Sequence, residues 1–493
     1  MILSAPFAAH VAAAETWLFD DGPAYPGVTM LQVADGATPS GALTTTWYGT
    51  IPMLNPRRTG DTLVFDTRNL NDPARPTRHW TARFADGAVT LEGGIWHADL
   101  KQTGHPGTDA EAARRAFHPA PDLPPLGTLP PDNLALTPPM GWSSWNKFAE
   151  HIDDATIRAM ADAMVSSGLR DAGYRYINID DGWQGTRDRN GVLQPNAKFP
   201  DMKALADYVH GKGLKLGLYT SPGPRTCAGY EGSYGHVEQD ARSFAGWGID
   251  YVKYDLCSGE WFYADADSVQ RTYYQMGAAL KATGRPIIYS LCEYGRFAVS
   301  RWGQQVGGHL WRTTGDITDD YATMSDIGFT RNPKFAPAGP GAWNDPDMLE
   351  IGNGGMSDDE YRTHMTLWAM QAAPLIMGHD LRRTTPAALR LLTNRDVLAI
   401  DQDPAGVHGQ MVRKVGDVEI WRKDLRDGSV AMALFNRGER AATASALPAD
   451  TGRPTIGAMR DLWAHRAVPA ATRFRIPRHG AILLRIDGPA PPN

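Results

Sequence analysis

A chain of 493 residues, 42% of them hydrophobic and including 15 Trp and 17 Tyr, has length for roughly two to four domains and apolar material for a large core. Its net charge of −6, with no long run of either sign, offers no basic stripe to a phosphate backbone, so nucleic acid is not an expected partner. No window approaches about 18 uninterrupted apolar residues, so no membrane-spanning helix is expected and the membrane is set aside as a partner.

In chain order, residues 1–14 hold a short apolar run ending in Ala12-Ala13-Ala14, similar to the tail of a secretory signal with an A-x-A cleavage site. Its basic leading segment is missing, and an alanine-rich disordered start is the alternative. The reading favours an extracytoplasmic location, periplasmic or secreted. Residues 15–118 alternate polar and apolar positions between frequent turns, as in TTTWYGTIPM and HWTARFADGAVTLEGGIW, and predict a small antiparallel β domain. Six prolines between Pro119 and Pro131 make residues 119–136 a stiff connector without helix or strand.

Residues 137–398 change character, with short apolar runs alternating with helical periodicity. The candidate strands are PMGWSS, YRYINIDD, LKLGLYT, YVKYD, PIIYSLC, HLWRTTG, AWNDP and PLIMGHD, with helix-like stretches such as DDATIRAMADAMVSSGL and HVEQDARSFAGWG between them. Eight such strands over about 260 residues predict an α/β fold of the (β/α)8 TIM-barrel type. A doubly wound sheet is the alternative, but no G-x-G-x-x-G follows the first strand. Residues 399–493 return to strands (VEIWRKDL, SVAMALFNR, TRFRIP, AILLRI) and predict a C-terminal antiparallel β-sandwich.

Barrel enzymes place their chemistry where strands end. Polar residues collect there: Trp145 after the first strand, then Asp180 and Asp181, Tyr219, Lys253 and Asp255, Glu293, Arg312 and Asp316, and Asp345 and Asp347. Any one acid entering a loop could simply cap the next helix, but six or more strand ends doing so together points to chemistry. Lys253 and Asp255 lie two apart on one strand and share a face, which predicts that the ammonium favours the ionised carboxylate. Acids from different strands flanked by cations and aromatics suggest glycoside hydrolysis, one carboxylate attacking the anomeric carbon and another protonating the departing oxygen.

Two readings from other classes compete. His379-Asp380 at the last strand suggests a metal-dependent hydrolase, though no His-x-His or His-Glu-x-x-His accompanies it. A carbohydrate-binding protein without catalysis is the other. The three cysteines Cys227, Cys257 and Cys292 lack C-x-x-C spacing, and spacing alone predicts three buried thiols, with one bridge and one free thiol as the alternative.

The segments TPPMGWSSWNKF, INIDDGW, LGLYTSPGPRTC, YVKYDLC, SLCEYG, WRTTGDI and WNDPDML occur in this order across residues 137–349. Together they resemble family 27 of the glycoside hydrolases, best known for α-galactosidases; the N-terminal domain is not part of that pattern. The resemblance implies a retaining double displacement with Asp255 as nucleophile and Asp316 as general acid/base. It implies that Asp180 and Asp181 bind the axial O4 and the O6 of galactose, and that Trp145, Tyr219, Lys253, Arg312 and Asp347 line the sugar pocket. Retention predicts that the Asp255 and Asp316 carboxyls lie about 5 to 6 Å apart, with Asp316 protonated at rest and its pKa raised.

Glu293 and Tyr294 fall in the loop that separates galactosidases from N-acetylgalactosaminidases, where bulk favours plain galactose. The resemblance also implies a Cys227–Cys257 disulfide, no metal, no cofactor, and a carbohydrate substrate as partner; a homo-oligomer is left open. Two departures stand out: Gly182 where many members carry cysteine, and Tyr294 where many carry tryptophan. Other sugar preferences within the family (β-L-arabinopyranosidase, isomaltodextranase, α-N-acetylgalactosaminidase) are the competing specificities.

Overall fold

The structure is a computed structural model, which describes residues 15–20, 27–36, 38–69, 76–95, 98–119, 122–336 and 338–487. The apolar run over residues 1–14 lies outside the described residues. Two compact units are present, one made of residues 1–123, 221–235 and 256–269, the other of residues 124–220, 236–255 and 270–493.

The first unit contains a nine-stranded antiparallel sheet. Alternation in the sequence becomes alternation of burial: along Arg78–Ala85, Trp80, Ala82 and Phe84 turn inward while Arg83 faces water. Side chains of this kind each gain about 1.5 to 3 kcal/mol on full burial. The strand Gly49–Pro52 lies at one end of the strand order and Leu54–Thr59 at the other, although only Met53 separates them in sequence. Gly93 is required by packing, because a Cβ there would come within 2.3 Å of the Trp80 ring. A helix over Asp109–Arg115 begins with a reciprocal capping box between Thr108 and Glu111. Tyr48 stacks on Trp261 at 4.0 Å, Phe117 lies 5.5 Å from both Tyr234 and Phe262, and Cys227 is bridged to Cys257.

The second unit holds the (β/α)8 barrel that the apolar runs predict. Its parallel strands are Met140–Ser143, Tyr176–Asn178, Lys215–Thr220, Tyr251–Asp255, Ile288–Cys292, Leu310–Arg312, Trp343–Asp345 and Leu375–Met377, and the first pairs with the last. Between the last two strands the ladder gives way to a single parallel bridge, Leu349 with Met377. These strands read as continuous apolar runs because both faces are covered; all five residues of Ile288–Cys292 are buried.

The helix Asp154–Ser166 shows how the outer layer forms. Asp153 caps it by accepting from the Thr156 N–H, and Ile157, Met160, Ala161 and Met164 recur at helical spacing to bury one face. The connector after residue 122 has neither helix nor strand, and is held by side chains: Arg271 donates to the Pro124 carbonyl at 2.8 Å, and Lys281 to that of Pro130.

C-terminal to the barrel, a six-stranded antiparallel sheet and a two-stranded one enclose a core of Ile420, Met432, Leu434, Phe474, Ile476 and Leu484. Most of the tryptophans are core rather than exposed platforms: Trp47, Trp80, Trp142, Trp183, Trp311, Trp343 and Trp368 are fully buried, and Trp17, Trp302 and Trp421 nearly so. Among the described residues no helix is long and apolar enough to cross a membrane.

Candidate active site

Lys253 and Asp255 end the fourth barrel strand with Val252 and Tyr254 on the opposite face, so strand parity alone puts the ammonium and the carboxylate side by side. The ammonium nevertheless has a nearer partner. Lys253 Nζ lies 3.1 Å from Asp180 Oδ2 and 4.0 Å from Asp255 Oδ2, so its contact is chiefly across the sheet to the second strand. Asp180 is fixed from three further directions: it accepts from the Ser143 hydroxyl at 3.2 Å and from the Asp181 N–H at 3.0 Å, and its own N–H donates to Ser144 Oγ. Asp181, beside it, is buried. Tyr219 is the penultimate residue of the third strand, buried, with Lys253 Nζ 5.2 Å from its ring centroid.

The sixth strand supplies Arg312, whose buried guanidinium forks between two carboxylates. One nitrogen is 3.0 Å from Asp316 Oδ1 and another 3.1 Å from Asp347 Oδ1. Asp347 also accepts from the Ile317 N–H at 2.8 Å, and its own N–H donates to Asp345 Oδ1. Its backbone lies in the positive-φ region at 93°, an expense of about 1 to 3 kcal/mol that surrounding contacts must offset. Asp345 and Asp347 therefore serve Arg312 and one another, not the helix-capping role open to any acid at a loop entrance.

Six carboxyl groups (Asp180, Asp181, Asp255, Asp316, Asp345, Asp347) thus gather with two cations. Burial raises Asp255, and the carboxylates of Asp316 and Asp180 push the same way, against Lys253 and the Tyr294 hydroxyl. Asp345 is raised by burial too, and Asp347 is carried up to about 7 by burial and its acidic neighbours despite Arg312.

The expectation that Asp316 has a raised pKa is not met. Burial works in that direction, but Arg312 and Lys253 outweigh it and hold the carboxyl below the usual value. The physical reason is visible: the side chain is 61% exposed, so water still solvates its charge, and Arg312 grips it. The companion expectation, that Lys253 favours the Asp255 anion, holds in direction, but burial outweighs the ammonium and leaves the carboxyl above its usual value.

Glu293 follows the fifth strand, completely buried, one oxygen accepting from the Gly295 N–H at 2.9 Å. Burial lifts it to about 9, so it is a neutral acid near neutral pH. Its neighbour Tyr294 donates to Asp255 Oδ1 at 2.6 Å. Sequence reasoning singled out Tyr294 for bulk and missed this contact. The usable signal was a phenol two residues past Cys292, which pairs in register with Asp255. Trp145, half-buried, opens the short helix Trp145–Phe148 after the first strand.

The spacing-based expectation of three buried thiols gives way to a Cys227–Cys257 disulfide and a buried Cys292. His379 and Asp380, the donors of the metal reading, have protein partners: His379 Nε2 lies 2.8 Å from Thr384 Oγ1, and Asp380 pairs with Arg382.

A barrel whose strand ends converge carboxylates and cations on one mouth is an arrangement that glycosidases use. Residues 137–403 match the model of the family described as Alpha galactosidase A, and residues 415–486 match the Alpha galactosidase C-terminal beta sandwich domain. An α-galactosidase of Cyamopsis tetragonoloba is 47% identical over 343 residues, 68% of this chain and 82% of that protein. Crystallographic α-galactosidase I from Mortierella vinacea superposes with a TM-score of 0.69 at 34% identity, covering 73% of this chain and 99% of that one. The Saccharomyces cerevisiae enzyme, whose structure was determined with raffinose, gives a TM-score of 0.66 at 28% identity over 73% of this chain and 100% of its own. The chain belongs to the α-galactosidase family of glycosidases.

Proposed function

We propose that the chain is an exo-acting, retaining α-galactosidase that releases terminal α-linked galactose from oligosaccharides or polysaccharides. The supporting observation is that Asp255, buried at the end of the fourth strand, and the exposed Asp316 after the sixth share one mouth, with Lys253 4.0 Å from the first and Arg312 3.0 Å from the second. In the first step Asp255 bonds to C1 of the sugar while the bond from C1 to the aglycone oxygen breaks, and Asp316 gives its proton to that oxygen. In the second, water attacks C1, its proton passes to Asp316, and the bond to Asp255 breaks with its electrons returning to the carboxylate.

Asp316 must carry a proton for the first step, although Arg312 favours its anion. A sugar and its aglycone covering this exposed carboxyl strip its water and raise the cost of ionisation. Asp316 and Asp347 share Arg312, so their titrations are linked. Asp180 and Asp181 bind the O4 and O6 hydroxyls, with Trp145, Tyr219, Lys253, Arg312 and Asp347 forming the pocket. The bulk of Glu293 and Tyr294 in the loop after the fifth strand supports galactose over its N-acetylamino analogue. The Cys227–Cys257 bridge supports an extracytoplasmic compartment.

The test is to inactivate the enzyme with a mechanism-based fluoro-galactoside and map the labelled peptide, alongside hydrolysis of p-nitrophenyl α-galactoside, its N-acetyl analogue and p-nitrophenyl β-L-arabinopyranoside. Label on Asp255 and turnover of the α-galactoside are expected. Label on another side chain would refute the nucleophile, and preference for either other sugar would refute the specificity.

A further inference from the structure

Tyr294 stands out in the mouth because its backbone is bent to bring it there. It sits at φ 63° and is followed by Gly295 at φ 77° and by Phe297 and Ala298 at φ 53° and 55°, conformations that L side chains seldom take. A Cβ at Gly295 would come within 2.2 Å of the Thr313 carbonyl oxygen, so only glycine passes beneath the sixth strand's exit. The turn is pinned at both ends, by the Gly295 N–H donating to buried Glu293 and by Trp302 Nε1 donating to the Phe297 carbonyl at 3.0 Å. What this turn delivers is one phenol hydroxyl, 2.6 Å from Asp255 Oδ1.

We propose that Tyr294 is a positioning residue for the nucleophile: its hydroxyl fixes Asp255 Oδ1, leaves Oδ2 facing the sugar, and stabilises the carboxylate as it departs from C1. The inference rests on Asp255 being the nucleophile. In the second step the bond between C1 and the Asp255 oxygen breaks and the electron pair returns to the carboxylate. A donor already in place on the other oxygen shares that charge, while water's proton goes to Asp316. Asp255 is otherwise faced by Lys253 on its own strand, Tyr219 from the third strand, Asp180 from the second, Cys292 from the fifth and Asp316 from beyond the sixth. Of these, Tyr219 and Cys292 stay neutral, their burial pushing both well above their ordinary values, and Lys253 remains 4.0 Å away. Burial beside Asp255, Cys292 and Asp316 likewise holds the Tyr294 phenol well above its ordinary value, so it remains a donor throughout the working pH range.

The experiment is Tyr294→Phe, which removes only the hydroxyl. With p-nitrophenyl α-galactoside, whose leaving group makes the first step easy, kcat is expected to fall roughly ten- to hundredfold, the range of a charge-assisted hydrogen bond. KM should fall with it as the covalent intermediate accumulates. The acid limb of kcat/KM, which follows the free carboxylate, should move to higher pH because the anion has lost a donor. Unchanged kinetics overturn the proposal, and so does a loss of kcat with KM and the pH profile unmoved, since mere packing damage would give that. Peptide mapping of the trapped inhibitor in wild type and variant separates the two levels of inference. Label away from Asp255 in the wild type removes the nucleophile assignment and this proposal together. Label on Asp255 with wild-type kinetics in Tyr294→Phe removes only the role of Tyr294.

Discussion

The two ends of the fourth barrel strand carry aspartates in opposite conditions. Asp250, just before the strand, accepts from Arg285 at 2.6 Å and the Leu216 N–H at 3.0 Å, and lies 2.7 Å from His210 Nε2. Asp255, five residues on, is buried with one phenol at 2.6 Å and an ammonium no nearer than 4.0 Å. At the foot of the strand every oxygen has strong donors and the charge is neutralised locally. At the mouth the charge is under-compensated, which raises the carboxyl's pKa and leaves an oxygen available to a substrate. The same residue type on one strand is thus a brace at one end and a reactive group at the other.

Exchanging the two conditions by mutation tests that contrast. Asp255→Asn should give the largest effect, a loss of turnover on the order of 10⁴-fold or more, because an amide cannot form the ester and no neighbour replaces it. Thermal unfolding should stay at or slightly above the wild-type midpoint, since an under-compensated buried charge has been removed; a strong fall in stability would mean that Asp255 is a structural brace like Asp250. Asp250→Ala should do the reverse. It leaves Arg285 and His210 without their common partner and is expected to cost about 2 to 4 kcal/mol in denaturant unfolding, below the cost of a fully buried pair because both partners keep some solvent, with kcat within about twofold.

The smallest effect concerns Glu293, whose carboxyl burial pushes up to about 9, well above the usual carboxylate range. A carboxyl raised on folding contributes stability that is complete below the unfolded pKa and lost as pH climbs through the folded one. Unfolding midpoints should therefore decline between about pH 5 and 9, and Glu293→Gln, which keeps an acceptor for the Gly295 N–H, should flatten that decline. An unaltered slope in the variant would assign the decline to the other carboxyls that burial raises, among them Asp255, Asp345 and Asp347.

Much of the fold was legible because burial on both faces writes each parallel strand as a short apolar run, and helix faces repeat at three and four residues, as Ile157, Met160 and Met164 do. The residues of the mouth were legible for a related reason. A strand buried on both faces has no room for charge until it ends, so Asp180, Asp255 and Arg312 mark the exits from apolar runs. Their mutual distances were another matter. Spacing put Lys253 with Asp255, yet across the sheet it meets Asp180 first; chemistry assigned Asp316 a raised pKa, yet Arg312 and open solvent hold it down.

The sequence by itself determined which residues end the strands, which share a face, and that carboxylates would crowd one mouth, because side-chain alternation and hydrophobic burial are local in origin. Only the tertiary structure decided that Arg312 forks between Asp316 and Asp347 and that Tyr294 reaches Asp255. Those contacts join different strands through the barrel's register and a left-handed turn over Gly295, and neither is encoded in the spacing of any single segment.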